Sequence, residues 1–243
     1  MDVSHVLDSL NESQRDAVGA PSGNLLILAG AGSGKTRVLV HRIAWHIATG
    51  EANPQGILAV TFTNKAAAEM RSRIESLLGQ SIYGMWVGTF HGLCHRLLRA
   101  HWQDANLPQN FQILDSEDQY RTIRRTIRAM MLDESQYPPK EAQWYINGQK
   151  DKGLRPEKIN DDGDVTTAQM IKIYKMYQQT CENSGAVDFA ELLLRTYELF
   201  RKNKLIREIY QKRFKHILVD EFQDTNELQY KWLKQLIGND NTL

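Results

Sequence analysis

A chain of 243 residues with 42% hydrophobic content reads as an ordinary globular protein, long enough for one large domain or two modest ones, each with its own core. Thirty basic against twenty-nine acidic residues leave a net charge of +1, which excludes a global field for nucleic acid and confines any such surface to a local patch. The two cysteines, Cys94 and Cys181, lack metal-ligand or redox spacing, and neither a signal peptide nor an apolar run of roughly eighteen residues is present; reduced thiols in a cytoplasmic protein with no membrane insertion are expected.

In chain order, Asn11-Glu12-Ser13-Gln14 is a capping-box sequence that opens a short helix. Gln14 has two readings here: reciprocal partner of the Asn11 cap, or donor and acceptor for an adenine edge. Leu25, Leu26, Ile27 and Leu28 form a continuous apolar run, which predicts a strand buried on both faces of a parallel sheet. Ala29-Gly30-Ala31-Gly32-Ser33-Gly34-Lys35-Thr36 follows at once. Glycines in such a loop let successive N–H groups turn toward phosphates, and the helix that follows aims its positive end at the same anion. Lys35 then reaches the β- and γ-phosphates of a nucleotide and Thr36 ligates Mg²⁺. Ala29 departs from the strict glycine of this motif, but a small residue still allows the turn. Val38, Leu39, Ile43 and Ile47 recur at helical spacing, and Gly50 ends the helix.

Gly56 to Phe62 predicts a second buried strand, followed by a helix from Thr63 or Asn64 with Ala67, Met70, Ile74, Leu77 and Leu78 as its apolar stripe. Met85 to Thr89 predicts a third strand that turns through Phe90-His91-Gly92 into another helix. His91, Cys94 and His95 fall within one helical turn, but such a cluster without a second ligand pair is read as structural. From about Leu107 to Phe214 the pattern becomes helical with few strand signals. Arg121, Arg124, Arg125 and Arg128 share one helix face, read as solvated and paired with local carboxylates in preference to a phosphate track. Asp188 and Glu191 resemble a capping box, whereas Phe189 at the first helical position has no such explanation. Arg201 to His216 is a basic helical stretch, a candidate backbone contact.

Strand character returns at His216 to Val219 and ends in Asp220-Glu221. Adjacent carboxylates at the end of a strand suit a phosphate-loop enzyme: Asp220 to hold Mg²⁺, Glu221 to orient and deprotonate the attacking water. Asp224 and Glu227 are expected to cap the next helix.

Six stretches occurring in this order resemble superfamily 1 DNA helicases of the UvrD/Rep/PcrA group: L-N-E-S-Q-R-D-A-V, A-G-A-G-S-G-K-T-R, A-V-T-F-T-N-K-A-A-A-E-M, G-T-F-H-G, V-D-F-A-E-L-L and V-D-E-F-Q-D-T-N. The resemblance implies an α/β fold: a RecA-like ATPase lobe with a parallel sheet, residues 1–89 and 215–243, interrupted by a mostly α-helical insertion, residues 90–214, over the DNA track. It implies ATP and Mg²⁺ as cofactors and ATP-dependent 3′ to 5′ unwinding in DNA repair and replication, with single-stranded and junction DNA as partners. Residue by residue it places Gln14 on adenine, Ala29 to Arg37 around the nucleotide, Thr36 and Asp220 on metal, Glu221 on water, and Gln223 between hydrolysis and DNA. The strand track is assigned to Thr61, Phe62, Thr63, Asn64, Thr89, Phe90, His91 and the Asp188-Phe189 pair. Aromatic rings on loops suit that role because every base offers a face for stacking.

Intact family members are much longer, and a second RecA-like lobe of the same polypeptide supplies their arginine finger. The resemblance therefore implies an amino-terminal portion whose sheet lacks the strand expected beside the His216 strand. By itself the 243-residue chain is expected to fold poorly or dimerise, to hydrolyse ATP very weakly and not to unwind DNA. Two alternatives remain at this point: a phosphotransferase acting on a small molecule, and a DNA-binding module with an inactive ATP site.

Overall fold

Ile57–Thr61 forms β1, buried along its whole length as a strand covered on both faces must be. The structure is a computed structural model and describes residues 3–30, 32–238 and 241–243. β1 pairs in parallel with β2 (Trp86–Thr89) and β5 (His216–Val219), giving the sheet order β2-β1-β5. Alternate side chains leave opposite faces of a strand. Ile57 and Ala59 therefore share a cluster with Leu39, Val40 and Ile43 of α2 (Lys35–Ala48) and Met70 and Ile74 of α3 (Asn64–Leu78). On the other face, Trp86 is in register with Leu58 and lies edge-on to Tyr210 of α9 (Lys204–Arg213) and to Phe214, with ring centroids 5.7 and 5.4 Å away. With α1 (Glu12–Gly19), these elements make one compact unit built from Met1–Leu93, Lys204–Thr225 and Leu233–Leu243.

The apolar run before the glycine-rich loop is not the expected buried strand. Leu26 and Leu28 are 68% and 84% exposed, and among the described residues the run joins no ladder. A strand is held by pairing along its length; here the Leu25 N–H donates to the Leu243 carbonyl at 3.0 Å. Thr242 forms an isolated parallel bridge with His216, its carbonyl accepting from the Ile217 N–H at 2.8 Å. Single residues at 242 and 243 thus link β5 to the start of the run, at the position where a full strand is expected.

The second unit comprises Cys94–Asn203 and Asn226–Trp232. Its core joins Ile123 and Ile127 of α5 (Ser116–Ala129), Ala142 and Ile146 of α6 (Pro139–Asp151) and Ile173, Tyr174 and Tyr177 of α7 (Val165–Ser184). It also holds a two-stranded parallel sheet, β3 (Gln112–Leu114) with β4 (Ala186–Asp188), that the sequence did not announce; three residues are too few to display an alternating pattern. β4 runs straight into α8 (Phe189–Lys202). The arginine face of α5 is carboxylate-paired, Arg121 with Glu117 at 3.3 Å and Arg124 and Arg128 both with Glu134. α10 (Glu227–Leu236) is capped two residues later than expected: the Asn226 side chain accepts from the Gln229 N–H at 2.8 Å, and the Gln229 side chain accepts from the Asn226 N–H, while the Asp224 N–H closes the preceding turn on Glu221. Among the described residues, no helix is long and apolar enough to cross a membrane.

Candidate nucleotide and single-strand site

The glycine-rich loop and the end of β5 meet in the first unit. Gly32 and Gly34 adopt φ of 74° and 89°, the left-handed region that lets N–H groups turn inward, and Gly34 leads directly into α2. Lys35 Nζ donates to the carbonyls of Ala29 and Gly30 at 3.1 and 3.2 Å, which folds the ammonium group over the loop it follows. Ser33 Oγ donates to the Gly30 carbonyl at 2.7 Å and closes the loop on itself. Ala31 lies outside the described residues. Gln14 fills the capping-box reading and also reaches the glycine-rich loop. Its backbone and side chain complete the capping box with Asn11, and its Nε2 donates to the Ser33 carbonyl at 3.1 Å, so the amide stands at the loop. A Cβ on Gly34 would come within 2.9 Å of that Nε2, the movable end of Gln14, and the φ of 89° is what favours glycine there. Arg37 donates to the Ser9 carbonyl at 2.7 Å and ties the amino-terminal segment to α2.

Thr36 Oγ1 stands 3.1 and 3.2 Å from the two carboxylate oxygens of Asp220. Asp220 is 6% exposed, and burial followed by the charge of Glu221 raises its pKa, opposed by the Thr36 hydrogen bond. Its N–H donates to the Val60 carbonyl at 2.9 Å, so the β1–β5 ladder fixes where the carboxylate emerges. Glu221 follows at φ 50°, a left-handed conformation strained for a residue with a side chain, and turns the chain sharply off the strand. Gln223 Nε2 donates to the Glu221 carboxylate and holds it. A hydroxyl and a buried carboxylate at one point are hard oxygen donors of the kind Mg²⁺ takes alongside phosphate oxygens and water.

The aromatic and polar residues expected on the strand track separate by exposure. Thr61 and Phe90, 2% and 1% exposed, are buried, so their side chains pack and do not present themselves to a strand. The partly exposed Phe62 ring sits edge-on to Phe90, the first residue of α4 (Phe90–Ala100), at 5.7 Å. Thr63 caps α3, accepting from the Ala66 N–H at 3.1 Å, and exposed Asn64 follows it. Thr89 Oγ1 accepts from the Gly92 N–H at 3.1 Å, with the partly exposed His91 between them. Phe189 belongs to the second unit, where its side chain is 50% exposed at the first turn of α8. Cys94 is buried, which pushes its thiol up, and His95 accepts from Arg99 Nε at 2.9 Å.

Sequence reasoning missed the side chains beneath Phe189. Asp188 Oδ1 accepts from the Glu191 N–H at 2.7 Å, while Oδ2 takes Lys150 Nζ at 2.6 Å, Tyr177 OH at 2.7 Å and Gln119 Nε2 at 3.2 Å. Glu191 does not complete the expected capping box; its carboxylate instead pairs with Lys150, Arg155 and Arg195 at 3.0, 2.8 and 2.7 Å. The one signal was the position of Lys150, which continues the stripe of Ala142, Gln143 and Ile146 on α6 where an apolar residue belongs.

Compared with known proteins, the chain is 62% identical over 239 residues to DNA helicase II of Escherichia coli, covering 98% of this chain and 33% of that protein. DNA helicase II of Haemophilus influenzae is 61% identical over 242 residues, with 98% and 33% covered, and the ATP-dependent DNA helicase PcrA of Bacillus subtilis is 40% identical over 232 residues, with 95% and 31% covered. The chain thus spans about a third of the length of these relatives. Residues 10–243 match the model of the UvrD/REP helicase N-terminal domain, and the chain, with its parallel α/β sheet and its glycine-rich loop facing paired carboxylates, belongs to that family.

Proposed function

We propose that this chain is the ATP-binding portion of an ATP-dependent 3′ to 5′ DNA helicase or translocase of DNA repair and replication. The observation that carries the reading is the contact of Thr36 with Asp220, which joins a phosphate loop to the carboxylates at the end of the neighbouring region of sheet. The N–H groups of Gly32 to Arg37, at the start of α2, cradle the phosphates, and Lys35 exchanges its carbonyl partners for phosphate oxygens. Gln14, already held at the loop by Ser33, presents its amide to adenine. Thr36 and Asp220 would hold Mg²⁺, which would supply positive charge to neutralise that of the phosphates. Glu221, fixed by Gln223, orients water and accepts its proton.

In the first unit, single-stranded DNA stacks on Phe62 beside Thr63, Asn64, Thr89 and His91, with Thr61 and Phe90 supporting them from within; in the second unit, considered by itself, Phe189 offers a further ring for stacking. A second RecA-like lobe of the same polypeptide, as in the family, completes the translocating machine. The intact protein is expected to raise its ATP turnover on addition of single-stranded DNA. Turnover indifferent to DNA would favour a small-molecule phosphotransferase, and DNA binding without turnover would mark an inactive ATP site.

A further inference from the structure

Asp188 ends β4 and Phe189 begins α8 with no connecting residue between them, so whatever fixes the aspartate fixes the direction in which the ring leaves the backbone. Val187 and Asp188 are 1% and 2% exposed, and Leu192 and Leu193 are each 1% exposed, yet Phe189 is half exposed in their midst. Capping α8 requires one carboxylate oxygen of Asp188, and Oδ1 does this with the Glu191 N–H at 2.7 Å. The other oxygen is gripped from three helices, by Lys150 of α6 at 2.6 Å, by Tyr177 of α7 at 2.7 Å and by Gln119 of α5 at 3.2 Å. Lys150 also reaches Glu191 at 3.0 Å, one turn into α8, so a single ammonium group grips both ends of the first turn that carries Phe189. Lys150 is itself 1% exposed and so cannot touch a strand directly.

We propose that Lys150 is a positioning residue for single-strand binding: through Asp188 and Glu191 it locks the first turn of α8 and thereby the orientation in which Phe189 is presented to a base. This rests on Phe189 being a stacking contact. A buried ion pair is a poor means of gaining stability over a packed apolar substitute, whereas it defines one geometry, and a stacking ring depends on geometry.

The test is a double-mutant cycle in the intact protein, with oligothymidylate affinity as the readout. Phe189→Ala is expected to weaken binding on the order of tenfold, the scale of one lost stacked base. Lys150→Met should weaken it by a comparable factor when Phe189 is present and add little once Phe189 is alanine. The salt dependence of binding should keep its slope in Lys150→Met, because a buried positioning residue neutralises no phosphate. Tyr177→Phe removes one grip on Asp188 without removing the ring from the core, and repeats the cycle with a smaller factor should Lys150→Met not fold. Independent, multiplicative losses in both cycles would overturn the proposal, as would a salt slope reduced by about one in Lys150→Met. Binding unchanged in Phe189→Ala overturns the stacking assignment itself, whereas a weakened Phe189→Ala beside an unaffected Lys150→Met and Tyr177→Phe overturns the positioning role alone.

Discussion

The hydroxyl of Thr36 reaches the carboxylate of Asp220 at 3.1 Å across 184 residues of sequence. One residue lies in the first turn of the helix after the glycine-rich loop and the other closes the β5 ladder, so the contact brings two distant segments to one corner, where Mg²⁺ is proposed to sit. Lys35 stands on the loop side of this corner, with Nζ over the Ala29 and Gly30 carbonyls. Lys35→Ala is expected to abolish ATP turnover while leaving oligothymidylate affinity unchanged, since it deletes the proposed phosphate contact and no aromatic ring. Parallel assays of both activities check this; an equal loss of both would place Lys35 in DNA binding or in folding.

Glu221→Gln separates binding from chemistry. The amide keeps the shape of the side chain and its neighbour Gln223 but cannot accept a proton, so ATP binding should persist while DNA-stimulated turnover falls on the order of a hundredfold or more. Nucleotide affinity and single-turnover hydrolysis measured together decide it, and near-normal hydrolysis would assign the base to another residue.

Phe62→Ala should weaken single-strand binding by about 1 to 3 kcal/mol, the scale of one stacked base. Its ring also packs edge-on to the buried Phe90, so some loss of stability is expected as well. Affinity and thermal unfolding recorded on the same variant distinguish the two: a loss confined to stability would make the ring part of the core.

Gly34→Ala tests the loop geometry. At φ 89° a side chain is strained, and the new Cβ would stand 2.9 Å from Gln14 Nε2, which itself holds the Ser33 carbonyl. A destabilisation of about 1 to 2 kcal/mol is expected from the backbone alone, together with weaker nucleotide binding as Gln14 is displaced. Denaturant unfolding and nucleotide titration report the two effects separately, and an unchanged nucleotide affinity would remove Gln14 from the site.

Much of this arrangement was legible in the sequence because it depends on local chemistry. The strands Ile57–Thr61, Trp86–Thr89 and His216–Val219 are short, largely apolar runs, and each lies within the segment its sequence predicts, although Trp86–Thr89 passes into α4 at Phe90 without the expected turn. The Asn11 box and the Asp188 cap are set within three residues. What was not legible depends on distant partners. The apolarity of Leu25 to Leu28 announces a strand, but whether it pairs is decided by backbone more than 200 residues away, where the Leu25 N–H meets the Leu243 carbonyl. Likewise nothing local distinguishes Glu191 as a capping-box residue from Glu191 as the acceptor of three cations; Lys150 and Arg155 come from elsewhere in the fold and outcompete the cap.

His46 and His216 offer a pH test away from the nucleotide corner. Their rings stack at 4.1 Å, Glu51 accepts from or pairs with His46 at 2.7 Å, and the His216 ring meets Thr242 Oγ1 at 3.1 Å. Burial, with His46 and Arg42 nearby and only partly offset by Glu51, pushes His216 down to about 4, and burial also lowers His46. A histidine held neutral in the folded state lets the unfolded chain bind the proton first. Its contribution to stability is therefore complete above the unfolded pKa near 6.5 and is lost as pH falls toward about 4. The unfolding temperature should fall through this window. In His216→Phe, which keeps a ring against His46 but cannot titrate, the fall should be shallower, with a remainder from His46. Unfolding temperatures recorded from pH 7.5 to 4.5 for both proteins check the sign, and a stability that rises on acidification, or an identical slope in the variant, would show that the stacked pair does not govern it.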